Sequence, residues 1–342
     1  MKILFSYGVA ALTALLVASA VLSPVTAPGA EPRNETIKRT ASVMGTNLEA
    51  TFYGIDAKEA DRAFKAVVVE FRRIDRELSE WKGNTYVSEI NKNAGSAPVV
   101  VPPELFRIIS AAMTVSRVTD GAFDITWASL WGLWDFSPGS HKVPDPAEVK
   151  RRLKNVNYRD VVLDAGKKSV MLKRPGMAMG LGGIAKGYAV DSAMSIVDGM
   201  GIKNVIIKAG GDMRVQGSAG EKTWRIGIRH PRKKDKLLAT LPLKDVSIST
   251  SGDYERFFMK DGVFYHHIID PRTGYPARGC RSVTIVGPDT TTTDALSTAV
   301  FVMGPEKGLA LVERLKGIEA IIVDSTGGVS VSRGFKGSGI ER

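Results

Sequence analysis

Three segments carry residues whose types and spacing can do chemistry on a phosphate. The first is Gly180-Leu-Gly-Gly-Ile-Ala-Lys-Gly-Tyr-Ala-Val-Asp191. Glycines just ahead of a helix let backbone come close to a ligand, and a helix N-terminus offers free N–H groups to an anion. Lys186, in the first turn, adds positive charge where a phosphate would sit. The G-x-x-x-x-G-K-[ST] spacing is absent, which argues against ATP hydrolysis of the Walker type. Tight helix packing explains the same glycines, and local chemistry leaves the two readings level.

The second segment is Thr290-Thr-Thr-Thr-Asp294-Ala-Leu-Ser-Thr298. Thr291 and Asp294 are spaced as in a capping box, so a helix begins here. Asp294 and Thr298 then lie four apart on one face. A carboxylate and a hydroxyl converging there suit Mg²⁺, which takes oxygen ligands and keeps waters and substrate phosphate. Plain helix capping, with Thr298 bonding back within its own helix, is the competing reading. The third segment is Tyr265-His-His-Ile-Ile-Asp-Pro-Arg-Thr-Gly274. On a strand His266 and His267 face opposite sides, so at most one enters a given site. A neutral imidazole there can take a proton from a hydroxyl, while a partly buried structural histidine explains the pattern equally well. The Asp-Pro-Arg-Thr-Gly run makes a tight turn at the strand end.

The elements that must position these residues alternate between α and β. Apolar spacing over 57–79 predicts a long amphipathic helix, Pro102-Pro103 opens another running through Val118, and 183–198 forms a third. Strand-like alternation runs over 40–53, and a β-rich run from Asn204 to Lys208 ends at Gly210-Gly211. Further strands are expected at Thr223–Ile228, Leu238–Pro242, Asp245–Thr250, Tyr254–Phe258, Val263–Ile269 and Arg281–Val286, with a helix–strand–strand set over 294–332. The fold class is α+β, with mixed helices and mostly antiparallel sheets. Trp127, Trp131 and Trp134 follow a helix-like spacing and read as core, and Asp212 reads as tying a turn. The proline-bearing loop from Phe136 to Pro146 is the place for a flap.

Composition narrows the chemistry. The chain has 342 residues, enough for one large domain or two ordinary ones, and 44% of them are hydrophobic. A single cysteine, Cys280, and four histidines exclude a disulfide framework and Cys-rich zinc or iron–sulfur sites, so a metal here is hard and held by oxygen. The formal charge of +11 favours anionic ligands. The basic run Arg229–Lys236 lacks interleaved aromatics and reads as a solvated loop, with no nucleic-acid partner expected. No G-x-S-x-G elbow or H-E-x-x-H helix is present. At the N-terminus, Met1-Lys2 precedes an apolar run from Ile3 to Leu22, followed by Pro24, Pro28 and Gly29. This is the pattern of a secretory signal peptide over residues 1–30, with an uncleaved membrane anchor as the competing reading. Cleavage would leave an exported, bacterial-type periplasmic protein without stable membrane insertion.

Six motifs stand in order: Met44-Gly-Thr46, Asp120-Gly-Ala-Phe-Asp124, Gly180–Asp191, Ala209-Gly-Gly-Asp212, His267–Gly274 and Asp294–Thr298. Together they resemble the ApbE family, the FAD:protein FMN transferases, over about residues 38 to 330, which sets an expected domain at 38–335. The resemblance implies an exported enzyme that splits the FAD pyrophosphate with Mg²⁺. FMN passes by a phosphoester bond to a Thr or Ser hydroxyl of a target protein, and AMP is released. It also implies a flavin-acceptor protein of a respiratory or electron-transfer complex as partner, and a site in a groove between two lobes. Asp294 and Thr298 match metal ligands, and Gly183 a position giving its backbone carbonyl to the metal. Met44, Trp81, Ala122, Phe123, Asp124, Gly180, Lys186 and Ile268 match FAD-contacting positions. His267 matches the proposed base, with Asp270 beside it as a second candidate. One departure stands out, since the family usually carries Asp where this chain has Gly180. Two rivals remain at this point: a Mg²⁺-dependent hydrolase giving FMN and AMP, and a non-catalytic periplasmic flavin-binding protein.

Overall fold

The computed structural model describes residues 35–80, 82–137 and 139–340. The expected signal peptide and Trp81 lie outside the described residues. From Glu35 onward these residues fall within one compact unit, and its centre is an eight-stranded sheet. In spatial order the strands are Thr36–Val43, Thr46–Tyr53, Val205–Ala209, Asp212–Gln216, Val246–Gly252, Cys280–Gly287, Glu319–Asp324 and Val329–Val331. Every neighbouring pair is antiparallel. The expected α+β class with antiparallel sheets is what forms.

Alternation along the strands sorts side chains onto two faces. Ala320 and Ile322 point into a large core shared with the helices, while Ile321 and Val323 point into a smaller one. The helices Ala57–Leu78, Ala185–Gly199 and Thr290–Met303 pack together on the first face. The hairpin of Trp224–Arg229 with Leu237–Leu243 contributes to the second. The two cores therefore lie on opposite faces of one sheet within a single unit.

The long helix Ala57–Leu78 forms where its apolar spacing predicts, capped by Asp56, whose side chain accepts from the Glu59 amide at 2.8 Å. Pro103 opens the helix Pro103–Val118 from its first turn. The segment 40–53 is two strands joined at Met44-Gly45, where both residues have positive φ (48° and 66°) and Val43 pairs with Thr46. A two-residue turn of this kind matches the sheet twist, and glycine takes its second place at little cost. Two short helices, Tyr86–Lys92 and Pro146–Leu153, were not expected. The strand expected over Tyr254–Phe258 forms at Phe257–Lys260, and that over Val263–Ile269 stops at His266. The tryptophan segment is a 3₁₀ turn, Ile125–Leu130, and Trp127, Trp131 and Trp134 are all partly exposed rather than core.

Candidate functional site: a lysine between two buried carboxylates

The helix Ala185–Gly199 begins straight after the glycine run, and its N-cap, Ile184, supplies no side-chain cap. In its first turn Lys186 reaches across to two other elements. Its Nζ lies 2.6 Å from Asp212 Oδ2 and 3.6 Å from Asp294 Oδ1. Asp212 opens the strand after the Gly210-Gly211 turn, and Asp294 sits on the helix Thr290–Met303. Both carboxylates are buried. Burial pushes the Asp294 carboxyl upward, and the like charge of Asp212 adds to the shift. Lys186 and the Gly187 amide pull it back. Burial opposes charge on Lys186, but Asp212 and Asp294 more than offset this and raise its pKa. The ammonium therefore stays charged between two buried acids.

The two helices carrying these groups touch at a glycine. The Gly187 amide donates to Asp294 Oδ2 at 2.9 Å. A Cβ on Gly187 would lie 2.2 Å from the Thr290 carbonyl oxygen, so only glycine permits the approach. Asp191, a turn further along, accepts from the Thr290 and Thr291 amides at 2.9 and 2.8 Å and from the Thr291 hydroxyl at 2.6 Å. The start of the Asp294 helix is thus fixed by the Lys186 helix. Its own N-cap is Asp289, whose side chain accepts from the Thr292 amide at 2.7 Å. The capping box expected from Thr291 and Asp294 does not form, which leaves Asp294 free for Gly187 and Lys186.

Thr298 lies one turn beyond Asp294, and its hydroxyl is 3.3 Å from Ser251 Oγ at the end of a central strand. Gly183 lies in the glycine loop under Phe123, where a Cβ would meet the ring edge at 2.9 Å. No cluster of three or more His, Cys, Asp or Glu stands ready for a metal among the described residues. A cation here would rely on one carboxylate, one hydroxyl and backbone oxygen. That sparse oxygen set fits Mg²⁺, which completes its shell with waters and substrate phosphate.

His266 and His267 take opposite sides. His266 is buried, with Nε2 2.6 Å from the Ala277 carbonyl and Nδ1 3.2 Å from the Ile268 amide. These partners assign the proton to Nε2, and burial lowers its pKa. His267 opens to solvent, and its backbone amide donates to the Arg256 carbonyl at 3.1 Å. Crowding by protein leads the causes that push its imidazole down to about 4, followed by His266, Arg256 and, more weakly, Lys186. Water reaches the ring and tempers the desolvation, but the Arg256 and Lys186 charges act in the same direction. The ring is neutral at neutral pH and feels the Lys186 charge.

Other expected site residues are placed differently. Asp270 is engaged by Arg272, whose Nε and Nη2 donate to its two oxygens at 2.9 and 2.8 Å, so it holds the turn rather than standing free as a base. Asp124 accepts from the Thr126 amide and hydroxyl and from the Tyr158 amide at 2.6 to 2.8 Å. Ala122, Phe123 and Ile268 are buried as well, so these segments offer a ligand backbone more than side chain. Met44 sits at a hairpin tip, half-buried against the core. Arg256 reaches this tip, since a Cβ on Gly45 would stand 3.8 Å from Nη2. Gly180 donates its amide to the Ile125 carbonyl at 2.8 Å. The roles missed from sequence are those of Asp212, which was assigned to its turn alone, of Asp191 and of Ser251. None of them carries a local signal, because each acts on a partner far away in the chain.

Comparison with known proteins places the chain in a family. Residues 44–322 match the ApbE family. The chain is 34% identical to an FAD:protein FMN transferase of Klebsiella pneumoniae (strain 342), over 85% of this chain and 90% of that one. It is 33% identical to an FAD:protein FMN transferase of Treponema pallidum (strain Nichols), over 92% of each. The structure superposes on the ApbE protein of Thermotoga maritima with a TM-score of 0.79 and 36% identity, covering 87% of this chain and 97% of that one. The flavin transferase ApbE of Vibrio cholerae gives a TM-score of 0.78 at 27% identity, covering 88% and 98%. With sequence and fold in agreement along most of its length, the chain belongs to the ApbE family.

Proposed function

We propose that this protein is an FAD:protein FMN transferase that cleaves FAD and attaches FMN to a Thr or Ser hydroxyl of a target protein, releasing AMP. The observation that carries the reading is Lys186, held between Asp212 and Asp294 at an uncapped helix N-terminus. Such a place suits a pyrophosphate, because N–H groups and a fixed ammonium face it without reorganising. When bound, Mg²⁺ would be held by Asp294, Thr298 and the Gly183 carbonyl, and would neutralise pyrophosphate charge. Lys186 shares the negative charge that develops as the P–O bond to AMP breaks. His267, neutral and open, takes the proton of the acceptor hydroxyl at a ring nitrogen as its oxygen bonds to the FMN phosphorus. The exposure of His267 leaves room for a protein acceptor.

The acceptor we propose is a flavin-bearing protein of a respiratory or electron-transfer complex, met outside the cytoplasm after export directed by residues 1–30. The support for export is the apolar run of those residues behind Lys2. No helix among the described residues is long and apolar enough to cross a membrane.

Mass spectrometry tests the reaction. The protein, FAD and Mg²⁺ are incubated with a candidate acceptor domain, alongside an Asp294→Ala control. A covalent gain of one FMN, absent in the control, is the expected result. Free FMN and AMP without adduct would make it a hydrolase toward that acceptor, and intact FAD would make it a binding protein.

A further inference from the structure

Beside the glycine loop stands a buried carboxylate that none of the preceding roles uses. Glu80, two residues past the end of the helix Ala57–Leu78, is only 8% exposed. Its Oε2 accepts from the Leu181 amide at 3.4 Å, close to the outer limit for a hydrogen bond. Its Oε1 faces two missing side chains, 3.3 Å from where a Cβ of Gly180 would stand and 3.2 Å from that of Gly182. The partly exposed Trp127 closes the same space, with its indole nitrogen 3.4 Å from the Gly180 Cβ position.

A carboxylate taken out of water needs donors, and those Glu80 meets are the backbone amides of Leu181, Gly182 and Glu80 itself, with Leu181 at the long distance of 3.4 Å. Burial heads the causes that raise the Glu80 pKa, with the amides of Glu80 itself, Leu181 and Gly182 only partly opposing it. The glycines at 180 and 182 open the space it occupies, and Gly183 and Lys186 of the same loop are already in the site. The Oε1 atom thus faces the space that the two glycines leave open in the loop that carries Gly183 and Lys186.

We propose that Glu80 is a substrate-contacting residue whose carboxylate accepts a hydrogen bond from a hydroxyl or N–H group of the flavin dinucleotide, from the place a side chain on residue 180 would otherwise fill. The inference rests on the flavin-transferase reading and adds a specificity contact to it. It also makes positions 80 and 180 interchangeable as sources of one acidic group.

FAD binding to the full chain, followed by flavin fluorescence without Mg²⁺, tests this apart from turnover. Glu80→Ala is expected to bind FAD about tenfold more weakly or worse, as loss of a charge-assisted hydrogen bond implies, with an unchanged or higher melting temperature. Gly180→Asp alone should also weaken binding, because it sets two carboxylates against each other. The double variant Glu80→Ala/Gly180→Asp should recover most of the affinity. Glu80→Gln, which preserves shape, should fall between wild type and Glu80→Ala. Unchanged FAD affinity in Glu80→Ala would overturn the inference while leaving the transferase reading intact. So would a double variant no better than Glu80→Ala, or weakened binding accompanied by a lower melting temperature, which would mark a structural residue. Failure of the wild-type protein to bind FAD would instead overturn the flavin reading, and this inference with it.

Discussion

The amide of Gly187 donates to Asp294 Oδ2 at 2.9 Å, and a Cβ on Gly187 would stand 2.7 Å from the Cβ of Asp294. One glycine therefore sets both the distance between two helices and the orientation of the carboxylate that would meet the metal. Gly187→Ala forces the helices apart. We expect it to cost about 1–3 kcal/mol, as overpacking does, and to raise the Mg²⁺ concentration needed for half-maximal FMN transfer. Urea unfolding and a Mg²⁺ titration of the transfer rate check the two effects, and an unchanged Mg²⁺ requirement would separate packing from metal binding.

Lys186 neutralises two acids with side chains only 4% and 5% exposed. Lys186→Met leaves Asp212 and Asp294 facing each other without their cation. Removing one partner of a buried ion pair typically costs about 3–5 kcal/mol. Lys186→Met/Asp212→Asn removes one of the two negative charges and should recover part of the loss, because the sites share a network. Denaturant melts of these two variants and of Asp212→Asn alone test this, and additive effects would mean that the groups do not act as a unit.

The pairing of Asp294 with Thr298 was legible from sequence because it lies within one helix, where a spacing of four residues dictates a shared face. The opposite facing of His266 and His267 was legible from strand alternation, although the strand itself ends at His266 and His267 follows it with a backbone bond to Arg256. Asp212 was not, since its partner is a lysine 26 positions away that only the Gly210-Gly211 turn and sheet pairing bring within 2.6 Å. The start of the helix carrying Asp294 was misjudged by two residues because Asp289, rather than Thr291, provides the cap. The helix Pro146–Leu153 was hidden because its opening proline reads equally well as a loop residue, and eight residues show too little periodicity to decide. Trp127 looked like core because its spacing with Trp131 and Trp134 suggests a helix face, whereas the backbone there tightens into a 3₁₀ turn.

Asp191 receives three hydrogen bonds from the first two residues of the Asp294 helix. It acts as a helix cap supplied from a neighbouring helix, and loss of a capping side chain costs about 0.5–2 kcal/mol. Asp191→Ala should fall at the upper end of that range, and Asp191→Asn, which keeps one acceptor oxygen, nearer the lower. Thermal unfolding gives the order of the variants. Equal stability in Asp191→Ala and wild type would mean that Asp289 alone suffices to start the helix.

The adjacent histidines should separate stability from rate. His266 is bonded to Ala277 and Ile268 in the core, so His266→Ala should destabilise by about 1–3 kcal/mol through the polar groups it leaves unpaired. His267 lies open at the site, so His267→Ala should change stability by no more than about 0.5 kcal/mol while slowing FMN transfer by about 10²–10⁴-fold, as loss of a general base does. The pKa of His267 lies below its ordinary 6.5, near 4, so protonation is disfavoured in the folded state. Its contribution to stability is then fully present above pH 6.5 and is lost as pH falls through the folded value. The transfer rate should likewise hold steady as pH drops past 6.5 and decline only toward 4. An NMR titration of the His267 ring beside a pH profile of kcat/KM tests both statements. A rate that halves near 6.5 while the ring titrates near 4 would take the role of base away from His267.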